Sequence, residues 1–124
     1  MRSINKINRI NRRGERVGIW ERYYSNGQLS VRGSFEKDDA NGLWEYYYEN
    51  GNLSCKGFYV NGEYEGIWEF YHLNGDLNSR GLYKNDRRDG IWEEYFPNGQ
   101  LIHYELYVDN LYLGVCDSKG LLLQ

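Results

Sequence analysis

Few side chains in this 124-residue chain could do chemistry. There are two histidines, His72 and His103, and two cysteines, Cys55 and Cys116. The hairpin arithmetic given below sets His103 opposite Cys116, with Glu105 on the same face. That trio could be a weak metal site or a Cys–His nucleophile pair. Neither reading carries, because the ligands lack the set count and tight spacing of a metal site, and no orienting group or oxyanion donor accompanies the thiol. His72 stands in the column of Tyr24, Tyr48 and Phe96, where it reads as an aromatic substitute. Glu21, Glu45, Glu69 and Glu93 look at first like recurring catalytic carboxylates. A cation is expected to face each of the first three, and a facing cation lowers a carboxyl pKa where a general acid needs it raised. No GxGxxG, P-loop or zinc-finger spacing occurs. The chain is therefore expected to be no enzyme and to carry no cofactor or metal.

The elements that position these residues follow from an internal repeat. Trp20, Trp44, Trp68 and Trp92 stand 24 residues apart, and other columns keep that step. Gly18, Gly42, Gly66, Gly90 and Gly114 lie two residues before the Trp column. Tyr23, Tyr47, Tyr71 and Tyr95 lie three after it. Asn-Gly recurs at 26–27, 50–51, 74–75 and 98–99, followed by Leu29, Leu53, Leu77 and Leu101. Gly33, Gly57 and Gly81 come next, then Phe35, Tyr59, Tyr83 and Tyr107. A truncated fifth copy starts at Gly114, with Cys116 in the Trp column. Asn-Gly between alternating apolar runs signals a hairpin, here expected to close through a type I′ turn. Lys37-Asp38, Asn61-Gly62, Asn85-Asp86 and Asp109-Asn110 supply a second set of turns midway.

A two-residue turn at 26–27 sets Trp20 opposite Gly33, Gly18 opposite Phe35 and Glu21 opposite Arg32. The same arithmetic pairs Glu45 with Lys56 and Glu69 with Arg80, while Glu93 meets Tyr104. These opposite charges support the register. Large rings over bare glycine are a known sheet device, so Gly33→Val is expected to clash with Trp20. Carried through the second turns, the arithmetic sets Val31 opposite Trp44, Cys55 opposite Trp68 and Ser79 opposite Trp92. The expected fold is all-β: a single-layer antiparallel meander of stacked hairpins, about 9–10 strands and roughly 45 Å long. Only one Ala, Ala40, against 15 Gly and 13 Tyr argues against an all-α fold.

Charge divides the chain into a basic arm, residues 1–13, and a repeat domain, residues 14–124. Residues 1–16 hold six basic side chains, Arg2 among them, against Glu15 alone. The remainder holds nine basic and seventeen acidic groups. Such an acidic body argues against nucleic acid as partner, leaving only the arm to meet phosphate. The arm could instead touch anionic lipid. Two cysteines make no disulfide framework, and no apolar run reaches the ~20 residues of a membrane helix, so a cytoplasmic location is expected.

The columns Gly-x-Trp-x-x-Tyr-x-x-Asn-Gly-x-Leu, followed by Gly-x-Tyr-x-x-Gly, resemble the MORN repeat in its bacterial variant form. Residues 18–27, 42–51, 66–75 and 90–99 carry the strongest match. Glu105 in the Gly column and Cys116 in the Trp column depart from it, which suggests a capping repeat. The resemblance implies an elongated sheet of stacked hairpins and a protein-binding module. Variant members are often antitoxin-like components of bacterial toxin–antitoxin loci, and other MORN proteins are scaffolds, some proposed to touch phospholipids. The expected function is thus to neutralise a toxin, nuclease or other effector with a basic face by covering its working surface. The alternative is a peripheral membrane or scaffold protein that uses the arm on lipid. Partner contact is expected from Tyr23, Tyr47, Tyr71 and Tyr95 with Glu21, Glu45, Glu69 and Glu93. On the other face, Trp20, Trp44, Trp68 and Trp92 are expected either to form the core or to add to the contact.

Overall fold

The computed structural model describes residues 6–124. Arg2 and the rest of the first five residues of the expected arm lie outside the described residues. Eleven strands form one open antiparallel sheet. They are β1 (Arg9–Ile10), β2 (Arg16–Tyr23), β3 (Leu29–Glu36), β4 (Asp39–Ala40), β5 (Gly42–Tyr47), β6 (Leu53–Val60), β7 (Glu63–Tyr71), β8 (Leu77–Lys84), β9 (Arg87–Tyr95), β10 (Leu101–Val108) and β11 (Leu111–Cys116). Each strand pairs with its sequence neighbour, and β4 and β5 are one strand interrupted at Asn41. Residues 8–10, read from sequence as arm, lie against β2. Asn8 donates its Nδ2 to Glu21 O at 3.1 Å and accepts Glu21 N at 2.8 Å, while Arg9 and Ile10 pair with Val17 and Arg16. This edge is thereby occupied, which protects it from pairing with another chain.

The type I′ geometry expected at the Asn-Gly pairs occurs instead at the midway turns. At Asn50-Gly51, Gly51 N bonds Tyr48 O at 3.0 Å and Tyr48 N bonds Asn52 O at 2.8 Å. Gly51 has φ 91° while Asn50 is not in the left-handed region. This is a type I turn closed by a glycine bulge. The midway pairs are the ones with positive φ at both residues, as at Asn61 (50°) and Gly62 (81°), the type I′ geometry. Asn50 is present for its side chain. Its Oδ1 accepts Asn52 N at 2.9 Å, and its Nδ2 donates to Leu73 O in the next repeat at 3.0 Å. Asn50→Ala should therefore lower stability by about 1–2 kcal/mol in urea melts, two such bonds' worth.

Within each hairpin the expected register holds away from the turn, where Trp20↔Gly33, Glu21↔Arg32 and Gly18↔Phe35 are paired, and slips by one beside it, where Leu29 pairs with Tyr23 rather than Tyr24. Between hairpins it shifts by two. Cys55 pairs with Phe70 rather than Trp68, Val31 with Tyr46 rather than Trp44, and Ser79 with Glu94 rather than Trp92. The cause is a bulge in which Gly66, Ile67 and Trp68 all stand against Gly57, with Gly66 at φ 77°. A left-handed residue that only glycine adopts cheaply takes up the extra chain. An even shift keeps every side chain on its face, so the Trp row survives.

The bulge also moves each indole onto the preceding hairpin. A Cβ on Gly33, Gly57 or Gly81 would stand 1.9, 2.1 and 2.1 Å from Cδ2 of Trp44, Trp68 and Trp92. The ring over Gly33 is thus Trp44, which corrects the clash expected with Trp20. Each indole N–H donates to the carbonyl of the residue after that glycine, as Trp68 Nε1 does to Phe58 O at 3.0 Å. Neighbouring rings close around it: Tyr64 at 4.7 Å, Tyr59 at 5.0 Å and Phe70 at 6.2 Å between centroids. Trp44, Trp68 and Trp92 are 7%, 1% and 0% exposed. A single sheet thus builds a core without a second layer, because a flat ring on a glycine needs only its flanking rings to exclude water.

Candidate functional site

Strand geometry places residues two apart on one face, so the face opposite the tryptophans carries three parallel rows. The middle row is charged. Pairing in both kinds of hairpin makes it continuous: Glu21↔Arg32↔Glu45↔Lys56↔Glu69↔Arg80↔Glu93, ending at Tyr104. Side chains approach to 3.4 Å for Glu21–Arg32, 3.8 Å for Lys56–Glu69 and 3.9 Å for Arg80–Glu69. The arithmetic from sequence gave three separate pairs. The two-residue shift joins them into one ladder. Each exposed pair is worth about 0–1 kcal/mol, so the ladder fixes register more than it stabilises.

Beside it runs the tyrosine row. The Tyr23 hydroxyl donates to Glu21 at 2.9 Å and Tyr95 to Glu93 at 2.6 Å. That bond, with some burial, pushes the Tyr95 hydroxyl pKa up to about 12. The Tyr23 pKa is raised chiefly by its bond to Glu21, those of Tyr47 and Tyr71 chiefly by burial. Tyr23 is exposed and the other three are half-buried.

The third row is apolar and was missed from sequence. Ile19, Leu43, Phe58 and Ile67 are 36%, 46%, 52% and 46% exposed. The signal was present: Ile19, Leu43, Ile67 and Ile91 each precede a Trp by one, so they must face the other way. Shallow grooves open between them, one floored by Leu43, Phe58 and Ile67 with Glu45, Lys56 and Glu69 alongside. At the C-terminal end the chain covers this row itself. Asp117 Oδ1 accepts Lys119 N and Leu121 N at 2.9 Å each, and Leu122 pairs back onto Cys116. The turn this makes brings Gly120 against Ile91 and Leu106, where a Cβ would stand 3.5 Å from Ile91 Cδ1. Ile91 and Leu106 are accordingly half-buried.

On the tryptophan face, burial gives Trp44, Trp68 and Trp92 a core role and leaves only Trp20 partly open. The expected His103–Cys116 pairing does not form: His103 pairs with Glu94, and Cys116 with Tyr104. A one-residue shift at the truncated repeat separates them. Burial raises the Cys116 thiol, and it lifts Cys55 to about 11, the reverse of nucleophile activation. Among the described residues no group of three or more His, Cys, Asp and Glu could hold a metal ion. His72 behaves as the aromatic substitute it resembles. Its Nε2–H donates to Tyr95 O at 3.0 Å, as the Tyr48 hydroxyl does to Tyr71 O at 2.6 Å.

His103 contacts Glu105 at 3.2 Å. Burial first and the Glu105 carboxyl second raise the Glu94 pKa. A carboxyl whose pKa is raised by folding binds its proton more tightly in the native state, so stability falls as pH rises through that pKa. Glu94→Gln should therefore raise the melting midpoint at about pH 7 and change little at about pH 3, where the carboxyl is protonated in both states. A thermal scan at the two pH values measures this.

No curated protein matches the chain. Four consecutive segments, residues 16–37, 40–61, 64–85 and 88–109, match the MORN repeat variant, a type of repeat that generally serves to bind proteins or membranes. With most of its length in these four copies, the chain belongs to the MORN repeat variant family.

Proposed function

We propose that this chain is a non-enzymatic binding ribbon that neutralises a toxin or another effector, such as a nuclease, by covering its working surface with the ladder face. The supporting observation is the row Ile19, Leu43, Phe58 and Ile67, exposed on one side of a sheet whose other side closes on its own rings. A contiguous exposed apolar strip marks an interaction surface, and tyrosines beside it are frequent binding hot spots. Beyond residue 16 the acidic groups outnumber the basic by seventeen to nine. Complementary charge on the partner would speed association, so the partner presents a basic face. Tagged protein incubated with lysate of its source cells should retain one stoichiometric protein, and high salt should speed its loss. Recovery of no protein would end this reading.

A second reading rests on the corner where Arg12, Arg13 and Lys37 cluster around Asn11 and Glu15. Basic residues near an anionic bilayer contribute about 1 kcal/mol each. Sedimentation with phosphatidylserine vesicles, lost in Arg12→Ala/Arg13→Ala, would move the function to a membrane surface.

A further inference from the structure

Residue 22 carries a cation at a tryptophan-face position that the fourth repeat gives to Glu94. The equivalent residues in the next two repeats are aromatic. Tyr46 stacks on Trp44 with centroids 6.1 Å apart and planes 30° apart. Phe70 lies between Trp68 and Trp92, 6.2 Å from each and within 32° of parallel. The Arg22 side chain is exposed and makes no hydrogen bond, ion pair or ring contact among the described residues. The place a ring would fill is therefore open. It is a pocket of about 200 Å³, open to solvent, bounded by Trp20, Val31, Phe35, Trp44 and Tyr46 with Arg22 at its rim.

The charge at that rim is cationic where it is unspent. Arg16 stands 4.1 Å over the Phe35 ring and pairs with Asp38 at 2.5 Å. Glu21, also on the rim, is engaged by Arg32 and the Tyr23 hydroxyl. Arg22 alone has its five donors free, in a fork that matches a carboxylate.

We propose that this pocket takes a phenyl or phenol ring from a partner protein, with a carboxylate on the neighbouring residue bound by Arg22. The molecule itself supplies the shape argument, since it builds the same slot again between Trp68 and Trp92 and fills it with Phe70. The assignment stands apart from the proposed function, because the pocket belongs to the opposite face and needs nothing from the ladder.

The test follows the four indole N–H signals by NMR while acetyl-Asp-Phe-Asp-amide is added to the full chain. The Trp20 and Trp44 signals should shift, and those of Trp68 and Trp92 should not. Acetyl-Asn-Phe-Asn-amide should bind about tenfold more weakly, the effect of one charge-assisted bond. Arg22→Phe should fill the slot, abolish the shifts and keep or raise the melting temperature, whereas Arg22→Gln should bind the two peptides equally. Absence of shifts at Trp20 and Trp44 up to about 10 mM peptide, weaker than any useful anchor, would overturn the proposal. So would undiminished binding by Arg22→Phe. A larger response to uridine 5′-monophosphate than to the acidic peptide would overturn it as well, and would make the pocket a nucleobase site.

Discussion

Replacing Trp68 by alanine should cost about 3–5 kcal/mol, the range for deleting a fully buried large aromatic. The side chain is 1% exposed, touches Tyr59, Tyr64, Phe70 and Tyr83, and spends its N–H on Phe58 O. A single-layer sheet has no facing layer to collapse into the gap, so little of the loss is recovered. Against a typical total of about 5–15 kcal/mol, that is close to unfolding. Each repeat packs only on its neighbours, and Trp68 joins the second hairpin to the third. Urea unfolding of Trp68→Ala should therefore lose cooperativity as well as midpoint. Trp20→Ala, at the partly open end, should cost clearly less. Equal losses at the two positions would show that the rings do not form the core described.

Gly57→Ala should be strongly damaging although it adds only one carbon. Its Cβ would stand 2.1 Å from Trp68 Cδ2, and the rings around Trp68 leave the indole nowhere to go. Overpacking of this kind costs about 1–3 kcal/mol and sometimes more. Gly66→Ala makes the control. Nothing lies within 4 Å of a Cβ there, so the cost is that of φ +77°, about 1–2 kcal/mol. A double-mutant cycle separates the two mechanisms. Gly57→Ala should be much better tolerated on a Trp68→Leu background, and Gly66→Ala should not. Additive behaviour of Gly57 with Trp68 would contradict the contact.

Much of this architecture was legible in the residues. The 24-residue columns dictate stacked hairpins, and the Asn-Gly turns give the correct pairing of Trp20 with Gly33 and Glu21 with Arg32. Turn arithmetic, however, assumes one register along a whole strand. It has no place for the two residues absorbed at Gly42, Gly66 and Gly90. In sequence those glycines read as small partners for Tyr59, Tyr83 and Tyr107, and so they are. That they also adopt positive φ and carry bulges becomes visible only once the second hairpins are paired. The error moved the ring over Gly33 from Trp44 to Trp20 and cut the charge ladder into separate pairs. The binding face was legible in part. Tyrosines and glutamates stood out as columns, but the row headed by Ile19 and Leu43 was overshadowed by the tryptophans beside it. The cover over Ile91 depends on how residues 117–122 fold back, which no repeat column encodes.

The most direct measurement compares capture by three forms of the tagged chain in the same lysate: wild type, Phe58→Glu and Arg22→Gln. Phe58 is about half exposed and makes no ring contact, so Phe58→Glu should melt like wild type. If the ladder face binds, wild type and Arg22→Gln retain one protein in equal amount, and Phe58→Glu retains at least tenfold less, since it buries a charge in a desolvated contact. Equal retention by Phe58→Glu and wild type would place the binding surface elsewhere on the sheet.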